Sequence, residues 1–363
     1  MKKQLYLWTK KFFIVRGVEN YRMRENENKN FHIGLVFNRR KKNINPDSIE
    51  AEYDSYETVN AIKKAIEENG HSVGLIEADE KIFERLKKSK IDLAFNIAEG
   101  PKINSRESLV PLLLEMLGIP YTGSSPLTLA VGLDKAKTKE ILLANGIRTP
   151  AFQVFKNPEE KLRKSLEFPL IVKPVCEGSS MGITNDSVVA NEKELRRQLK
   201  FVFEKFNEPA LVEEFIEGRE FSAAIIQNGQ LSVLPIVEFD FGCLPEHAKK
   251  IDSFEAKWVW DTAEKPLPLY ICPARITEQE KEKIEQISIA AFEALDCRDL
   301  CRIDLREKNG KFFVLEINPL PGLNPDINSN SVFPTAIRAS GMGFSETIGK
   351  IIENALKRNG LCG

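Results

Sequence analysis

Four polar residues alternate with apolar ones in the segment CRIDLREKNGKFFVLEIN, which covers residues 301–318. They are Arg302, Asp304, Glu316 and Asn318. Because side chains alternate across a strand, a hairpin would bring all four to one face. Two carboxylates and an amide are hard oxygen ligands that suit a Mg²⁺ ion held jointly with phosphates. A solvated network of arginine and carboxylates is the alternative, and the hairpin alone does not decide between the two.

The register of this hairpin depends on the length of its loop. A two-residue Asn309-Gly310 loop would place Asp304 opposite Leu315, whereas a three-residue loop would place Asp304 opposite Val314. The three-residue loop also directs four aliphatic side chains together toward the core, namely Ile303, Leu305, Leu315 and Ile317. The hydrophobic alternation therefore predicts the three-residue loop.

A second candidate is KPVCEGSSMGI, residues 173–183, which follows an apolar strand. It lacks the lysine–serine or lysine–threonine end of a Walker A loop, and it is not a G-x-G-x-x-G motif. A tight turn explains it as well as a phosphate loop does. Lys173 favours the phosphate loop, because a lysine in a small apolar sheet requires an anionic partner. Backbone N–H groups of residues 178–182 could hold a phosphate beside it.

Composition disfavours several other chemistries. Six cysteines without C-x-x-C spacing and three histidines offer little for a zinc site or for a Ser–His or Cys–His nucleophile. The 52 basic and 53 acidic side chains give a net charge of -1, so no global field attracts nucleic acid or anionic membranes. No apolar run approaches the ~20 residues of a membrane span. We therefore expect a cytoplasmic protein with small-molecule substrates and no nucleic-acid or membrane partner.

The order of the predicted elements indicates which parts of the chain must position these motifs. Residues 31–130 alternate strands and helices, which is typical of an open, mostly parallel sheet. Residues 131–220 contain helices and three strands of a small α+β unit. Residues 221–363 contain a hairpin, an irregular stretch at 241–275, a helix at 277–295, a second hairpin and closing helices. Residues 1–30 are predicted to be an N-terminal extension of unknown role.

In combination, the motifs resemble those of ATP-grasp ligases, and in particular those of D-alanine–D-alanine ligases. The matching motifs are Lys135, Lys173-Pro-x-x-Glu177-Gly-Ser-Ser-x-Gly182, Glu213–Glu220, Arg302-Ile-Asp304 and Glu316-Ile-Asn318-x-x-Pro-Gly322. The resemblance covers residues 90–358. It implies a three-domain ATP-grasp fold of α/β and α+β type, with an N-terminal open parallel sheet and with ATP between the central and C-terminal domains. It also suggests a homodimer.

The resemblance implies a role for each matching residue. ATP would be bound by Lys135, Lys173, Glu177, Ser179, Ser180, the hinge residues Glu213, Glu214, Phe215 and Ile216, and the ribose-binding Glu220. Two Mg²⁺ ions, or Mn²⁺, would be bound by Asp304, Glu316 and Asn318. Catalysis would involve Arg302 and the backbone N–H of Gly322 at the oxyanion, together with Ser180 and Lys257 on loops that close over the site. Ser331 would meet the carboxylate of the second substrate.

The first-substrate side departs from the family pattern. The family carries Gly-Gly-x-Ser-Ala-Glu-x-Glu after the first strand, where this chain reads FNRRKKNINPDSIEAEYDSYET. Glu52 or Asp54 could replace the last glutamate of that motif. The segment FNIAEGPKINSRE stands where the family has a histidine, and Lys257 is followed by Trp258 instead of a tyrosine.

These observations predict an ATP-dependent ligase that joins a carboxylate to an amine through an acyl phosphate. The expected substrates are amino acids other than D-alanine, or in addition to it. A true D-alanine–D-alanine ligase is the alternative within the same class. A catalytically silent ATP-binding protein is the alternative from another class.

Overall fold

The computed structural model describes residues 30–41, 48–101, 103, 105–261, 265–329 and 331–362. The predicted extension at residues 1–30 therefore lies, apart from Asn30, outside the described residues. Among the helices of these ranges, none is long and apolar enough to cross a membrane.

The first sheet has three parallel strands in the order β2-β1-β3. They are β1 (His32–Phe37), β2 (Ser72–Glu77) and β3 (Leu93–Asn96), and the associated helices are α1 (Tyr56–Glu68), α2 (Ile82–Lys88) and α3 (Leu109–Leu117). Leu35 belongs to the core beside α1, while the neighbouring Val36 belongs to the core beside α2 and α3. Both faces of the sheet are therefore covered, as expected for continuous apolar runs in parallel strands. The predicted open parallel sheet is confirmed.

The second sheet is antiparallel, with the order β4-β7-β5-β6. Two helices, α4 (Pro126–Leu133) and α5 (Lys135–Ala144), precede it. The sheet and its covering helix comprise β4 (Phe152–Phe155), β5 (Leu170–Pro174), β6 (Val188–Val189), α6 (Glu192–Phe206) and β7 (Ala210–Glu214). Leu195, Leu199 and Val202 recur at helical spacing and bury one face of the sheet. Lys173 and Glu213 lie on the other face, as diagonal neighbours of β5 and β7.

The third sheet is also antiparallel, with the order β11-β10-β8-β12-β13 and β9 paired to β8. Its strands are β8 (Glu220–Asn228), β9 (Gln230–Val233), β10 (Val237–Phe239), β11 (Tyr270–Ile271), β12 (Leu300–Lys308) and β13 (Lys311–Asn318). Helix α7 (Glu278–Ala294) covers one face, and α8 (Val332–Ala339) and α9 (Phe344–Arg358) cover the other. Helix α9 also packs on α1, so the first and third sheets share one core.

The β12–β13 hairpin has a two-residue turn, and the predicted three-residue loop is wrong. Lys308 pairs with Lys311, and Asn309 and Gly310 have φ values of +54° and +72°. Positive φ at both central residues is the geometry of a type I′ turn, which matches the twist of the strands and favours Asn-Gly.

A β-bulge then changes the register between the turn and the polar residues. Leu305 pairs with Val314, but Asp304 pairs with Glu316, so Leu315 is one extra residue in β13. The polar residues still share a face, as predicted. Leu315 was predicted to lie in the core, yet it is only half-buried and lines a cavity, whereas Val314 is fully buried.

The three sheets fall within the predicted segments 31–130, 131–220 and 221–363, except that β8 begins at Glu220. Division of the chain into domains at residues 131 and 221 stays a prediction.

Candidate active site

A cavity of about 770 Å³ is lined by residues of all three sheets and their loops. Every residue that the sequence predicted for the site lines this cavity. They are Glu52, Asp54, Lys135, Lys173, Glu177, Ser179, Ser180, Glu213, Glu214, Phe215, Ile216, Glu220, Lys257, Arg302, Asp304, Glu316, Asn318, Gly322 and Ser331. The fold thus brings together residues that lie up to 279 positions apart in the sequence.

The β12–β13 hairpin places its polar residues in contact with one another. The guanidinium of Arg302 donates to Asp304 from Nη2 to Oδ2 at 2.8 Å, and Asn318 Nδ2 donates to the same oxygen at 3.1 Å. Ser222 Oγ, on the neighbouring strand β8, donates to Asp304 Oδ1 at 2.5 Å. Glu316 faces Asp304 across the hairpin, and its Oε2 lies 3.8 Å from Lys135 Nζ.

Charges around the hairpin favour an ionised Glu316. Burial alone would raise the pKa of Glu316, but the cations of Lys135, Arg302 and Lys173 outweigh burial and lower that pKa to about 2. Burial raises the pKa of Asp304, and Glu316 adds to this effect against the opposing influence of Arg302. Glu316 therefore stays negative at neutral pH. A further cation would stabilise the ionised form of the neighbouring Asp304 carboxylate.

The donor set fits Mg²⁺ that is also held by a phosphate ligand. Asp304 and Glu316 offer hard carboxylate oxygen atoms from one sheet face, and the Asn318 amide, which donates its NH₂ group to Asp304, lies beside them. Within the part of the chain that the structure describes, no group of three or more His, Cys, Asp or Glu side chains is placed to hold a metal ion. An incomplete protein shell is what Mg²⁺ sites that share phosphate oxygens usually have.

Lys173 has an anionic partner within the protein. Its Nζ lies 2.6 Å from Oε1 of Glu213, so a phosphate is not required to compensate the lysine, although the lysine still lines the cavity. All four residues of the predicted hinge, Glu213, Glu214, Phe215 and Ile216, line the cavity, but the Glu213 carboxylate is already paired with Lys173.

Two loops are joined across the cavity. Ser180 Oγ donates to the backbone oxygen of Asp252 at 2.8 Å, and the indole Nε1 of Trp258 donates to the backbone oxygen of Ser179 at 3.1 Å. Ser179 and Ser180 both have positive φ, a conformation that persists when surrounding contacts enforce it. The tryptophan at the position of the family tyrosine therefore links residues 178–183 to residues 252–258.

We expect Trp258→Phe to loosen this link. The substitution keeps the aromatic ring and removes the N–H donor to Ser179, which is worth about 1 kcal/mol. Hydrogen–deuterium exchange of residues 178–183 should become about fivefold faster. Trp260→Phe is the matched control, since Trp260 makes an edge contact with His247 instead. Equal exchange in both variants would show that the indole does not hold the loop.

Glu52 lies on the cavity wall against residues 178–183, which we call the serine-rich loop. Its Oε2 lies 2.6 Å from Nη2 of Arg106, and both side chains are buried. Arg106 Nη1 also donates to the backbone oxygen of Cys176 at 2.8 Å. A Cβ added to Gly178 would lie 2.1 Å from Oε1 of Glu52, so a larger residue at position 178 would force the Glu52 carboxylate to move.

Further carboxyl groups surround Arg106. Burial raises the pKa of Glu107 to about 7 and raises the pKa of Glu99 well above its ordinary value, with neighbouring carboxylates adding to the effect on Glu99. Glu99 lies in the segment where the family has a histidine. The backbone of Asp54 is hydrogen-bonded to the chain just after β1, where its N–H donates to Asn38 and its carbonyl accepts from Arg40. Burial raises the pKa of the Asp54 carboxyl group to about 7.

The raised pKa of Asp54 predicts a pH-dependent stability. Between about pH 4 and pH 7 the folded state holds more protons on Asp54 than the unfolded state, so this group lowers the free energy of unfolding as the pH rises. Urea unfolding from pH 4 to pH 8 should show a smaller decrease for Asp54→Asn than for the unchanged protein. Asp186→Asn, at an exposed position, should leave the decrease as it is. A decrease of equal size in all three proteins would contradict the assignment.

Sequence reasoning missed Arg106, Lys139, Tyr270 and Arg306. Tyr270 and Arg306 line the cavity, and Lys139 pairs with Glu213. The Nε of Arg306 lies 2.6 Å from Oε2 of Glu220, so one oxygen of the predicted ribose-binding carboxylate is already engaged. The available signal was the two-residue period of β12, which places Arg306 on the same face as Arg302 and Asp304.

Known proteins resemble this chain over most of its length. The family model described as "D-ala D-ala ligase C-terminus" matches residues 141–353. A D-alanine–D-alanine ligase of Pelotomaculum thermopropionicum is 32% identical over 85% of this chain and 93% of its own length. A Sinorhizobium fredii protein described as uncharacterized is 35% identical over 84% of this chain and 89% of its own length.

Solved structures show the same architecture. The D-alanine–D-alanine ligase of Bacillus anthracis in complex with ATP superimposes with a TM-score of 0.67 at 26% identity, covering 91% of this chain and 99% of that one. The VanG D-Ala:D-Ser ligase of Enterococcus faecalis gives 0.66 at 23% identity, covering 90% of this chain and 100% of that one, a likeness of fold. The predicted fold class is confirmed.

Proposed function

The chain belongs to the D-alanine–D-alanine ligase family and is an ATP-dependent, ADP-forming carbon–nitrogen ligase, and on this premise we propose that it joins two molecules of D-alanine. Relatives that carry the name D-alanine–D-alanine ligase support this choice over other amino acids. The alternative substrate prediction is thus better supported than the main one.

The reaction has two steps. The γ-phosphoryl group of ATP moves to a carboxylate oxygen of the first amino acid, and ADP leaves. The amino nitrogen of the second molecule then bonds to the carbonyl carbon, the C–O bond to phosphate breaks, and the nitrogen releases its proton to solvent. Both steps develop negative charge, so fixed cations can stabilise them without a protein nucleophile.

Each group of cavity residues has its own role in these two steps. Lys135 and Lys173 bind phosphate oxygens, and Arg302 with the N–H of Gly322 holds the oxyanion of the tetrahedral intermediate. Glu52, fixed by Arg106 beside the serine-rich loop, orients the first amino acid, with Asp54 nearby. Ser331 meets the carboxylate of the second. Two Mg²⁺ ions, or Mn²⁺, bound by Asp304, Glu316 and Asn318 would neutralise charge on the transferred phosphoryl group.

The loops joined by Ser180 and Trp258 exclude water from the acyl phosphate. Lys257 extends from the same segment toward the cavity. Hydrolysis of the acyl phosphate competes with attack by the amine, so closure of both loops is required for efficient ligation.

One observation carries the proposal: two lysines, an arginine and the oxygen ligands of the hairpin converge on one cavity. The test is ADP release with D-alanine, followed by mass spectrometry of the product. We expect turnover that requires D-alanine and Mg²⁺ and yields a dipeptide. ADP release without any dipeptide would contradict ligation, and ATP binding without turnover would favour the catalytically silent alternative.

A second candidate is a ligase that joins D-alanine to a different amino acid. It is favoured by Glu99 in the segment of the family histidine and by Trp258 in place of the tyrosine. The same assay with D-alanine and a mixture of D- and L-amino acids distinguishes the candidates, because a mixed dipeptide formed in preference to D-alanyl-D-alanine would replace the first proposal.

A homodimer in the cytoplasm is part of the proposal, on the basis of the family resemblance. Light scattering of the purified chain should give about twice the mass of 41.1 kDa. Cell fractionation should place the protein with the cytoplasmic enzymes.

A further inference from the structure

Three charged side chains form a buried row beside the cavity. Glu213 lies between two lysines, with Oε1 at 2.6 Å from Lys173 Nζ and Oε2 at 2.7 Å from Lys139 Nζ. The side chains of Lys139 and Glu213 are 0% and 1% exposed, and that of Lys173 is 11% exposed. Lys173 alone of the two lysines is on the cavity wall, whereas Lys139 projects from helix α5.

Lys139 is fixed by a second contact. Its Nζ donates to Thr149 Oγ1 at 2.8 Å, and Thr149 Oγ1 donates to the backbone oxygen of Val314 at 2.8 Å. Val314 precedes the bulge and Glu316 on β13. Lys139 therefore contacts Glu213, which holds Lys173. Through Thr149 it is also connected to strand β13, which carries Glu316.

The charges of this row do not cancel. One carboxylate faces two ammonium groups, and at low dielectric each ion pair is strong. Burial lowers the pKa of Lys139 against the opposing pull of Glu213. Burial also opposes the charge on Lys173, but Glu213 outweighs it and raises the pKa of Lys173. With both lysines protonated, the row carries one net positive charge, and Lys173 is the lysine that faces the cavity.

We propose that Lys139 is a positioning residue that neutralises Glu213 and so leaves the positive charge of Lys173 available to a phosphate of ATP. Glu213 alone would fix the flexible lysine side chain but would also cancel its charge. With Lys139 present, Glu213 still fixes the position of Lys173 but no longer cancels its charge. The inference rests on the phosphate-binding role proposed for Lys173.

The first test is the affinity of the full chain for ATP and for adenosine, measured by calorimetry with Mg²⁺. Lys139→Met should weaken ATP binding about tenfold, because Lys173 then forms a neutral pair with Glu213. Adenosine, which has no phosphate, should bind within about twofold of its original affinity. Lys137→Met is the matched control on the same helix, since Lys137 is exposed and pairs with Glu140. It should bind both ligands normally.

The second test is a rescue. The double variant Lys139→Met with Glu213→Gln has neither the second lysine nor the carboxylate, so Lys173 is again uncompensated. We expect ATP affinity to recover to within about threefold of the unchanged protein. A purely structural role for Lys139 predicts no recovery, because the double variant removes more of the buried network.

Different results would contradict the role of Lys139 and the phosphate-binding role of Lys173. Weak ATP binding by Lys173→Met with normal binding by Lys139→Met would overturn the inference alone. Normal ATP binding by Lys173→Met would overturn both. Circular dichroism and urea unfolding establish that each variant is folded, and Lys139→Gln, with the same expected loss, replaces Lys139→Met if the latter does not fold. A double variant that is folded and unrescued would overturn the charge argument.

Discussion

Replacing Glu316 by alanine is expected to reduce kcat by about a thousandfold while leaving the protein folded. Glu316 faces Asp304 across the hairpin, and the surrounding cations lower its pKa to about 2, so it presents a permanent negative charge to the cavity. Under the proposed mechanism, its removal would take away one of the oxygen ligands that hold Mg²⁺. Because its side chain is 30% exposed, the free energy of unfolding should change by only about 1 kcal/mol.

The experiment combines ADP-release rates over a Mg²⁺ titration with urea unfolding. Glu278→Ala is a suitable control, since Glu278 is an exposed carboxylate at the start of α7. Rates of Glu316→Ala within tenfold of the control would contradict the metal assignment. Recovery of the full rate at high Mg²⁺ would instead limit the role of Glu316 to affinity for the ion.

Replacing Asp299 by asparagine is expected to give the largest loss of stability, about 3 kcal/mol. Asp299 is fully buried just before β12 and connects separate parts of the fold. Its Oδ2 accepts from the backbone N–H of Gly123 at 2.6 Å, and its Oδ1 accepts from Asn354 at 2.6 Å and pairs with Arg358. An amide in this position loses the charge pair and directs its NH₂ group at one of these donors.

Asp296→Asn provides a matched control three residues earlier. Asp296 has a positive φ, as Asp299 does, but its side chain is 77% exposed. The control should lie within about 0.5 kcal/mol of the unchanged protein in urea unfolding. Equal stabilities for the two variants would mean that the contacts of Asp299 make no net contribution.

The sequence could predict which residues line the cavity because their signals are local. Alternation along β12 and β13 indicates a shared polar face. The order of the motifs along the chain, which resembles that of ATP-grasp ligases, places Lys135 and Lys173 in the same site as the hairpin. The partners of Lys173 could not be predicted in this way. Glu213 reaches Lys173 across a strand pair and reaches Lys139 on a helix that precedes the sheet, and only the packing of those elements decides which oxygen each lysine contacts.

The error at the hairpin has a definite physical origin. Strict alternation requires Leu315 and Ile317 to point the same way, which leaves Val314 on the polar face. The structure keeps the favoured Asn-Gly turn and accommodates Leu315 in a bulge, so that Val314 and Ile317 are both buried. The preference for the Asn-Gly turn and the burial of Val314 and Ile317 together outweigh the cost of interrupting the hydrogen-bond ladder between β12 and β13.

This bulge makes Leu315 a supernumerary residue in the hairpin. A chain shortened by that one residue would retain Leu305 beside Val314 and Asp304 beside Glu316, because the remaining positions already alternate without interruption. The deletion would remove apolar surface from the cavity wall and local strand twist while sparing the ligand pairs. The bulge therefore separates the shape of this part of the cavity wall from the pairing of the polar residues on β12 and β13.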